Sequence, residues 1–290
     1  MEEGTAATVG RFASRVVRLL GLRERRCVAC REPFEPEDGA DRAESSVDGV
    51  LQRFFCPACR AKMKRRMTGF CPYCGEPSLL EDAPCMPCER CLVRTPPWND
   101  VMFFGVYGGL LRELLLRVKF GGSLACADVL GRLLATLCVE HYEVTVKPDV
   151  IVPMPLDRGR LRERGFNQCR EIVRHVSKDM GVPVRSDLLV KVRQVTPQEL
   201  LNREQRQNLK QPFHSTGVDG LFVLLVDDVC TTGATLERAT ESLLSAGASR
   251  VDVAVLARSS RFEKDGAGAA SCHEAASPAM HNAGKARRAE

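Results

Sequence analysis

Two adjacent carboxylates, Asp227 and Asp228, end an apolar run, Leu221-Phe-Val-Leu-Leu-Val226, and a turn rich in hydroxyls and glycine follows, Thr231-Thr232-Gly233-Ala234-Thr235. The chemistry this order offers is phosphate binding. From Thr231 onward the turn presents consecutive backbone N–H groups, threonine hydroxyls and the positive end of a helix macrodipole, which together suit a dianion. The carboxylates would repel that phosphate, so they must face sugar hydroxyls or a magnesium ion. Ribose 5-phosphate meets both demands. The plainer reading is an ordinary strand with an acidic turn and a Thr-rich helix cap.

A second constellation is made of thiols. Of the 14 cysteines, eight fall in C-x-x-C pairs: Cys27/Cys30, Cys56/Cys59, Cys71/Cys74 and Cys88/Cys91. The two-residue spacer lets both sulfurs reach one ion, and two such knuckles complete a tetrahedral Cys₄ shell. The pairs therefore predict two structural zinc sites. Sequential pairing of the knuckles is the simplest assignment; interleaving stays open, and Cys85 competes for the last pair because Cys85-x-x-Cys88 has the same spacing. All-thiolate shells leave no open coordination position, which argues against catalytic zinc. Eight bound thiolates and two Zn²⁺ would bring the formal charge of +5 down to about +1. A basic isoelectric point is then poor evidence for nucleic-acid binding.

A third group is basic. Asp149-Val-Ile-Val-Pro153-Met-Pro155 reads as a buried strand ending in prolines, and Arg158, Arg160, Arg162 and Arg164 follow before Gly165. Guanidinium forks beside a glycine suit a pyrophosphate. Between two strands lies a polar segment carrying Gln198, Arg203 and Arg206, either a mobile lid over a ligand or an exposed helix. Lys119 before Gly121-Gly122 is either an anion contact or a solvated lysine at a helix end. Arg60, Lys62, Lys64, Arg65 and Arg66 form a basic cluster, either a phosphate contact or a solvated helix face.

The elements that must position these groups follow from periodicity. Apolar strands near residues 103, 150, 188, 222 and 252 alternate with amphipathic helices, among them Gly108 to Phe120 and Ala125 to Tyr142. The expected fold is α/β: a mostly parallel sheet flanked by helices, with a small N-terminal zinc-ribbon-like module. The expected division is an arm at 1–26, the cysteine module at 27–94, a linker at 95–99 set by Pro96-Pro97, an α/β domain at 100–258 and a disordered tail at 259–290. Hydrophobic content of 44% and charge of 27% are those of a globular protein, and no run approaches a membrane span. With no secretory signal at the N-terminus, a cytoplasmic protein is expected.

The stretch from Val226 to Thr235 resembles the PRPP-binding loop of type I phosphoribosyltransferases. Together with the knuckles, Pro96-Pro97-Trp98, Val118-Lys119-Phe120, Val152-Pro-Met-Pro155 and Arg164-Gly-Phe-Asn-Gln168, it resembles the ComF family over residues 27–258. That resemblance implies a zinc module on a phosphoribosyltransferase domain, associated with DNA uptake in natural transformation, with single-stranded DNA or a DNA-uptake helicase as candidate partners. It implies that Asp227 and Asp228 hold ribose hydroxyls and Mg²⁺-PRPP. It makes Val229, Cys230, Thr231, Thr232, Gly233, Ala234 and Thr235 the PRPP-binding loop, with Thr231, Thr232, Gly233 and Thr235 on the 5-phosphate, and it places Pro155, Arg158, Arg162 and Arg164 on pyrophosphate. Cys230, Cys85 and the long tail depart from the family pattern. The alternative is a module that senses PRPP or a nucleotide without turnover, or a nucleic-acid adaptor.

Overall fold

The computed structural model describes residues 24–37, 46–156, 159, 162, 165, 167–192 and 212–260. A short antiparallel pair, β1 (Arg25–Arg26) and β2 (Pro33–Phe34), frames the first knuckle. Helix α1 (Val47–Phe54) starts at Ser46, whose hydroxyl accepts from the Gly49 N–H at 3.1 Å. The short helices α2 (Pro57–Arg60) and α3 (Glu89–Val93) begin directly after Cys56 and Cys88, inside their knuckles.

Beyond Trp98 come β3 (Val101–Val106), α4 (Gly109–Gly121), α5 (Leu124–Tyr142), β4 (Val150–Pro153) and α6 (Gln168–Met180). They are followed by β5 (Leu189–Lys191), β6 (Phe213–Ser215), β7 (Phe222–Cys230), α7 (Ala234–Ser245) and β8 (Arg250–Arg258). On α4 the stripe Leu110, Leu111, Leu114, Leu115 and Val118 is buried, as its spacing predicts, and Gly122 at φ 59° ends the helix. The main sheet is four-stranded and wholly parallel, in the order β3-β8-β7-β4.

Alternation along the central strand divides the core in two. Phe222, Leu224 and Val226 pack with α4, α5 and α6, and the same cluster takes in Cys27, Cys56 and Cys59. Val223 and Leu225 pack on the other side with Leu236, Ala239 and Leu243 of α7, and that cluster takes in Cys71, Cys74 and Cys91. The knuckles thus flank the sheet from opposite faces.

Four expectations need correcting. The strand near 188 is not in the main sheet: β5 pairs antiparallel with β6, and among the described residues β4 is extended on its open side only by the bridge Ile151 to Val184. Pro183 lacks an N–H and cannot carry that ladder further. The strand β7 does not end with its apolar run at the carboxylates but continues to Cys230, because β8 stays alongside it. The basic cluster is mostly engaged: Arg60 pairs with Glu37 and Arg65 with Glu140, both at 2.7 Å, while Arg66 donates to backbone carbonyls including that of Gly69. Lys62 and Lys64 are the exposed members. Finally, the 95–99 stretch is packed, with Pro96 and Trp98 buried and the Asn99 N–H donating to the Val251 carbonyl at 2.8 Å.

Candidate functional site

The central strand outruns one neighbour. Pro153 opposite Val226 is the last β4 pairing, and β7 continues beyond it beside β8 alone. Asp227 and Asp228 therefore sit in a notch at the C-terminal edge of the sheet, where open α/β sheets place ligands. Asp228 is buried: Lys119 Nζ lies 3.1 Å from its Oδ1, and Gln168 Nε2 donates to its Oδ2 at 3.1 Å. Lys119 comes from the last turn of α4. Gln168 opens α6, whose start is fixed by the Asn167 side chain accepting the Cys169 N–H at 2.9 Å. Lys119 is thus not a freely solvated lysine; it is the counter-ion of Asp228.

Asp227 is held differently. Its Oδ1 accepts from the Asp228 N–H at 2.8 Å and from the Cys169 thiol at 3.4 Å. Although Asp227 keeps some open surface, desolvation of its carboxyl and then the adjacent Asp228 charge raise its pKa above the ordinary range. Burial, reinforced by the two aspartates, likewise keeps the Cys169 thiol protonated.

The loop after β7 leaves Thr231, Thr232 and Thr235 exposed, with Val229 and Ala234 half-buried. Cys230 is buried, and that burial pushes its thiol up to about 11. Gly233, at φ 84°, begins α7 with no side-chain cap at that position. Three successive carbonyls are held from behind. Arg258 Nη1 donates to the Cys230 carbonyl at 3.1 Å and to that of Thr231, and Arg90 Nη1 donates to that of Thr232 at 2.7 Å. In a trans peptide the N–H points opposite to the C=O, so the N–H groups of Thr231, Thr232 and Gly233 face away from the guanidiniums. Among the described residues, none of the three donates to another residue.

The sulfurs of Cys27, Cys30, Cys56 and Cys59, and those of Cys71, Cys74, Cys88 and Cys91, gather in two groups within 4.8 Å. The grouping is sequential, and Cys85 is exposed and outside it. Cys30 and Cys56 sulfurs lie 3.7 Å apart and those of Cys74 and Cys88 3.6 Å. A tetrahedron with Zn–S bonds of about 2.3 Å has edges of about 3.8 Å, so each group fits zinc. Burial alone would raise the Cys27 thiol, but hydrogen bonds from the Cys30, Cys56 and Ala29 backbone outweigh it and bring it down to about 7. Asp100, His141 and Asp252 also converge, but Arg250 lies among them, 2.7 Å from Asp100 and 2.9 Å from Asp252, where a cation would sit.

Pro155 is half-buried and Arg162 exposed. Pro155 borders an open cavity of about 830 Å³, also lined by Pro153, Asn167, Arg170, Arg174 and Asp187. Arg158, Arg164 and the lid residues Gln198, Arg203 and Arg206 lie outside the described residues. Sequence reasoning missed Arg90 and Arg258. Their only signals are an arginine inside the last C-x-x-C spacer and a charge closing an apolar strand.

Residues 166–274 match the family described as Phosphoribosyl transferase domain. DNA utilization protein YhgH of Salmonella typhi is 34% identical over 207 residues, covering 70% of this chain and 89% of that protein. Competence protein F of Haemophilus influenzae is 30% identical, covering 71% of this chain and 97% of that protein. The chain belongs to the ComF family. A more distant ComF relative, competence protein ComFC of Bacillus subtilis, is 29% identical, covering 66% of this chain and 78% of its own length. The fold is accordingly a phosphoribosyltransferase-type α/β sheet with two Cys₄ clusters. No helix among the described residues is long and apolar enough to cross a membrane.

Proposed function

We propose that this ComF chain binds PRPP with Mg²⁺ and transfers its phosphoribosyl group to an acceptor. The observation that carries this reading is the notch holding Asp227 and Asp228, continued directly into a loop with three outward N–H groups at a helix start. The N–H groups and the hydroxyls of Thr231, Thr232 and Thr235 bind the 5-phosphate. Asp227 and Asp228 accept hydrogen bonds from the ribose hydroxyls. Arg162, with Arg158 and Arg164, holds the pyrophosphate, and the segment around Gln198, Arg203 and Arg206 closes over it.

In the transfer, the acceptor's electron pair forms a bond to ribose C1. The bond from C1 to the pyrophosphate oxygen breaks, and its electron pair leaves with pyrophosphate. The two carboxylates stabilise the positive charge that builds on the ribose. Asp227 would hold Mg²⁺ through its carboxylate, and the ion would supply positive charge for the pyrophosphate. Asp227 suits it, since its Oδ2 is engaged by none of the described residues.

The cysteine module, 27–94, carries two structural zinc ions beside a transferase domain at 100–258. The reading includes a cytoplasmic role in DNA uptake with single-stranded DNA or its helicase as partner, and the relatives named for DNA utilization and competence support its link to DNA. The test is pyrophosphate release by zinc-loaded protein with Mg²⁺-PRPP, screened across nucleobases, amines and single-stranded DNA. Release with one class identifies the acceptor. PRPP binding without release for every class overturns the transferase reading in favour of a sensor.

A further inference from the structure

The second cysteine cluster and the phosphate loop share a wall. Arg90, in the spacer between Cys88 and Cys91, bonds the Thr232 carbonyl and pairs with Glu237 of α7 at 3.3 Å. Arg258 is fully buried: its Nε donates to the Cys74 carbonyl at 3.0 Å, its Nη2 pairs with Glu76 at 2.7 Å, and its Nη1 bonds the Cys230 and Thr231 carbonyls. Trp98 closes the back, donating from Nε1 to the Tyr73 carbonyl at 2.7 Å. A Cβ on Gly233 would lie 3.5 Å from the Trp98 ring and 3.5 Å from Arg90 Nη2.

We propose that Arg90 and Arg258 are positioning residues that carry the state of the second Cys₄ cluster to the phosphate loop. They turn three carbonyls inward and so aim the N–H groups of Thr231, Thr232 and Gly233 at the phosphate. A cationic donor on a carbonyl also polarises its peptide, which strengthens the N–H on the far side. Metal in the cluster fixes the backbone at Cys74 and the α3 turn that carries Arg90, so loss of that metal releases the wall. The first cluster lies on the other side of the sheet and has no such link among the described residues.

This inference rests on the phosphate role proposed for the loop, and the experiment separates the two. Backbone amide NMR order parameters at Thr231–Gly233 and Mg²⁺-PRPP affinity are measured for wild type, Arg90→Gln, Arg90→Lys and, as a control near the first cluster, Arg60→Gln. Thermal unfolding is followed throughout. Arg90→Gln should weaken PRPP binding by about 10-fold and lower the loop order parameters, with an unfolding midpoint close to wild type. Arg90→Lys should recover part of both, and Arg60→Gln should change neither. Cys91→Ser should loosen the loop, whereas Cys30→Ser should not. Wild-type affinity and wild-type order parameters in Arg90→Gln would overturn the inference, as would a loop loosened equally by Cys30→Ser and Arg60→Gln. Loop order that depends on Arg90 in a protein that binds no PRPP would support the coupling and remove the proposed function instead. If Cys91→Ser does not fold, the Arg90 variants still decide.

Discussion

The two cysteine clusters share a donor set and a knuckle spacing but touch different parts of the molecule. Around the first, the Val28 N–H donates to the Phe54 carbonyl at 3.0 Å and Arg117 Nη1 donates to the Ala29 carbonyl at 2.5 Å. Its apolar neighbours Val50, Leu51 and Phe55 run into the same core as Leu110 and Leu114. That cluster staples a helical layer. Around the second, Arg90, Arg258 and Trp98 all reach the turn that follows Cys230 or its first residues. What a structural metal site does is therefore set by its surrounding shell, since the ligands are chemically identical.

The comparison breaks most easily at the two arginines that tie each cluster to the α/β core. Arg258 is fully buried and its partner Glu76 nearly so. Arg258→Met would take the cation away from the buried Glu76 carboxylate and the guanidinium donor away from the Cys230 and Thr231 carbonyls, and should cost about 3–5 kcal/mol. Arg117 is 42% exposed at its side chain and makes one bond to the first cluster's backbone. Arg117→Met should cost about 1 kcal/mol. Denaturant midpoints with constant slope measure both, and equal losses would erase the distinction between the clusters.

A carboxylate on each side sharpens the comparison through pH. Asp227 has a pKa raised first by burial and then by Asp228. A folded pKa above the unfolded value means that the stabilising contribution is complete below about pH 3.9 and is lost as pH rises through the folded value. Asp227→Asn removes that loss, so ligand-free protein should gain about 1–2 kcal/mol at neutral and alkaline pH, the gain fading as pH falls towards 4. The same variant should lose PRPP binding. Asp48 stands exposed in the first turn of α1, on the first cluster's side, where its charge favours the helix. Asp48→Asn should have the opposite sign, a loss of about 0.5 kcal/mol at neutral pH. A denaturation midpoint at neutral pH checks Asp48→Asn; a stability curve against pH checks Asp227→Asn, and a flat difference there would show that its carboxyl titrates normally.

Much of this was legible in the sequence where the signal is local. The run into Asp227, the Thr-Gly turn and the C-x-x-C spacers each encode their structure within a few residues, through apolar periodicity, backbone freedom and the reach of two sulfurs. The parts that were not legible depend on partners far along the chain. Arg90 meets Thr232 across 142 positions and Arg258 meets Glu76 across 182. Nothing in either arginine's neighbourhood names its partner. Lys119 had two local readings, and Asp228, the partner that removes free solvation, is distant in sequence. The strand β5 failed for another reason: three residues satisfy an antiparallel partner as readily as a parallel sheet, and β6 is itself too short to leave a period.

The smallest expected effect separates backbone strain from loop function. Gly233 and Gly181 both hold positive φ, 84° and 70°, at opposite kinds of helix end. A Cβ on Gly181 would meet nothing within 4 Å, and one on Gly233 would meet Arg90 and Trp98 at 3.5 Å, an ordinary contact. Neither Gly→Ala change creates a clash, so each should cost only the left-handed penalty, about 1 kcal/mol. The two should differ in what that strain moves. At Gly181 it falls on the end of α6, remote from the proposed phosphate loop. At Gly233 it falls on the peptide that the Thr232 carbonyl shares with Arg90, so PRPP affinity should drop about threefold to tenfold while the unfolding midpoint matches that of Gly181→Ala. Equal affinities for the two variants would mean that the loop tolerates reorientation at Gly233, and the second cluster's wall would then be a packing surface like the first.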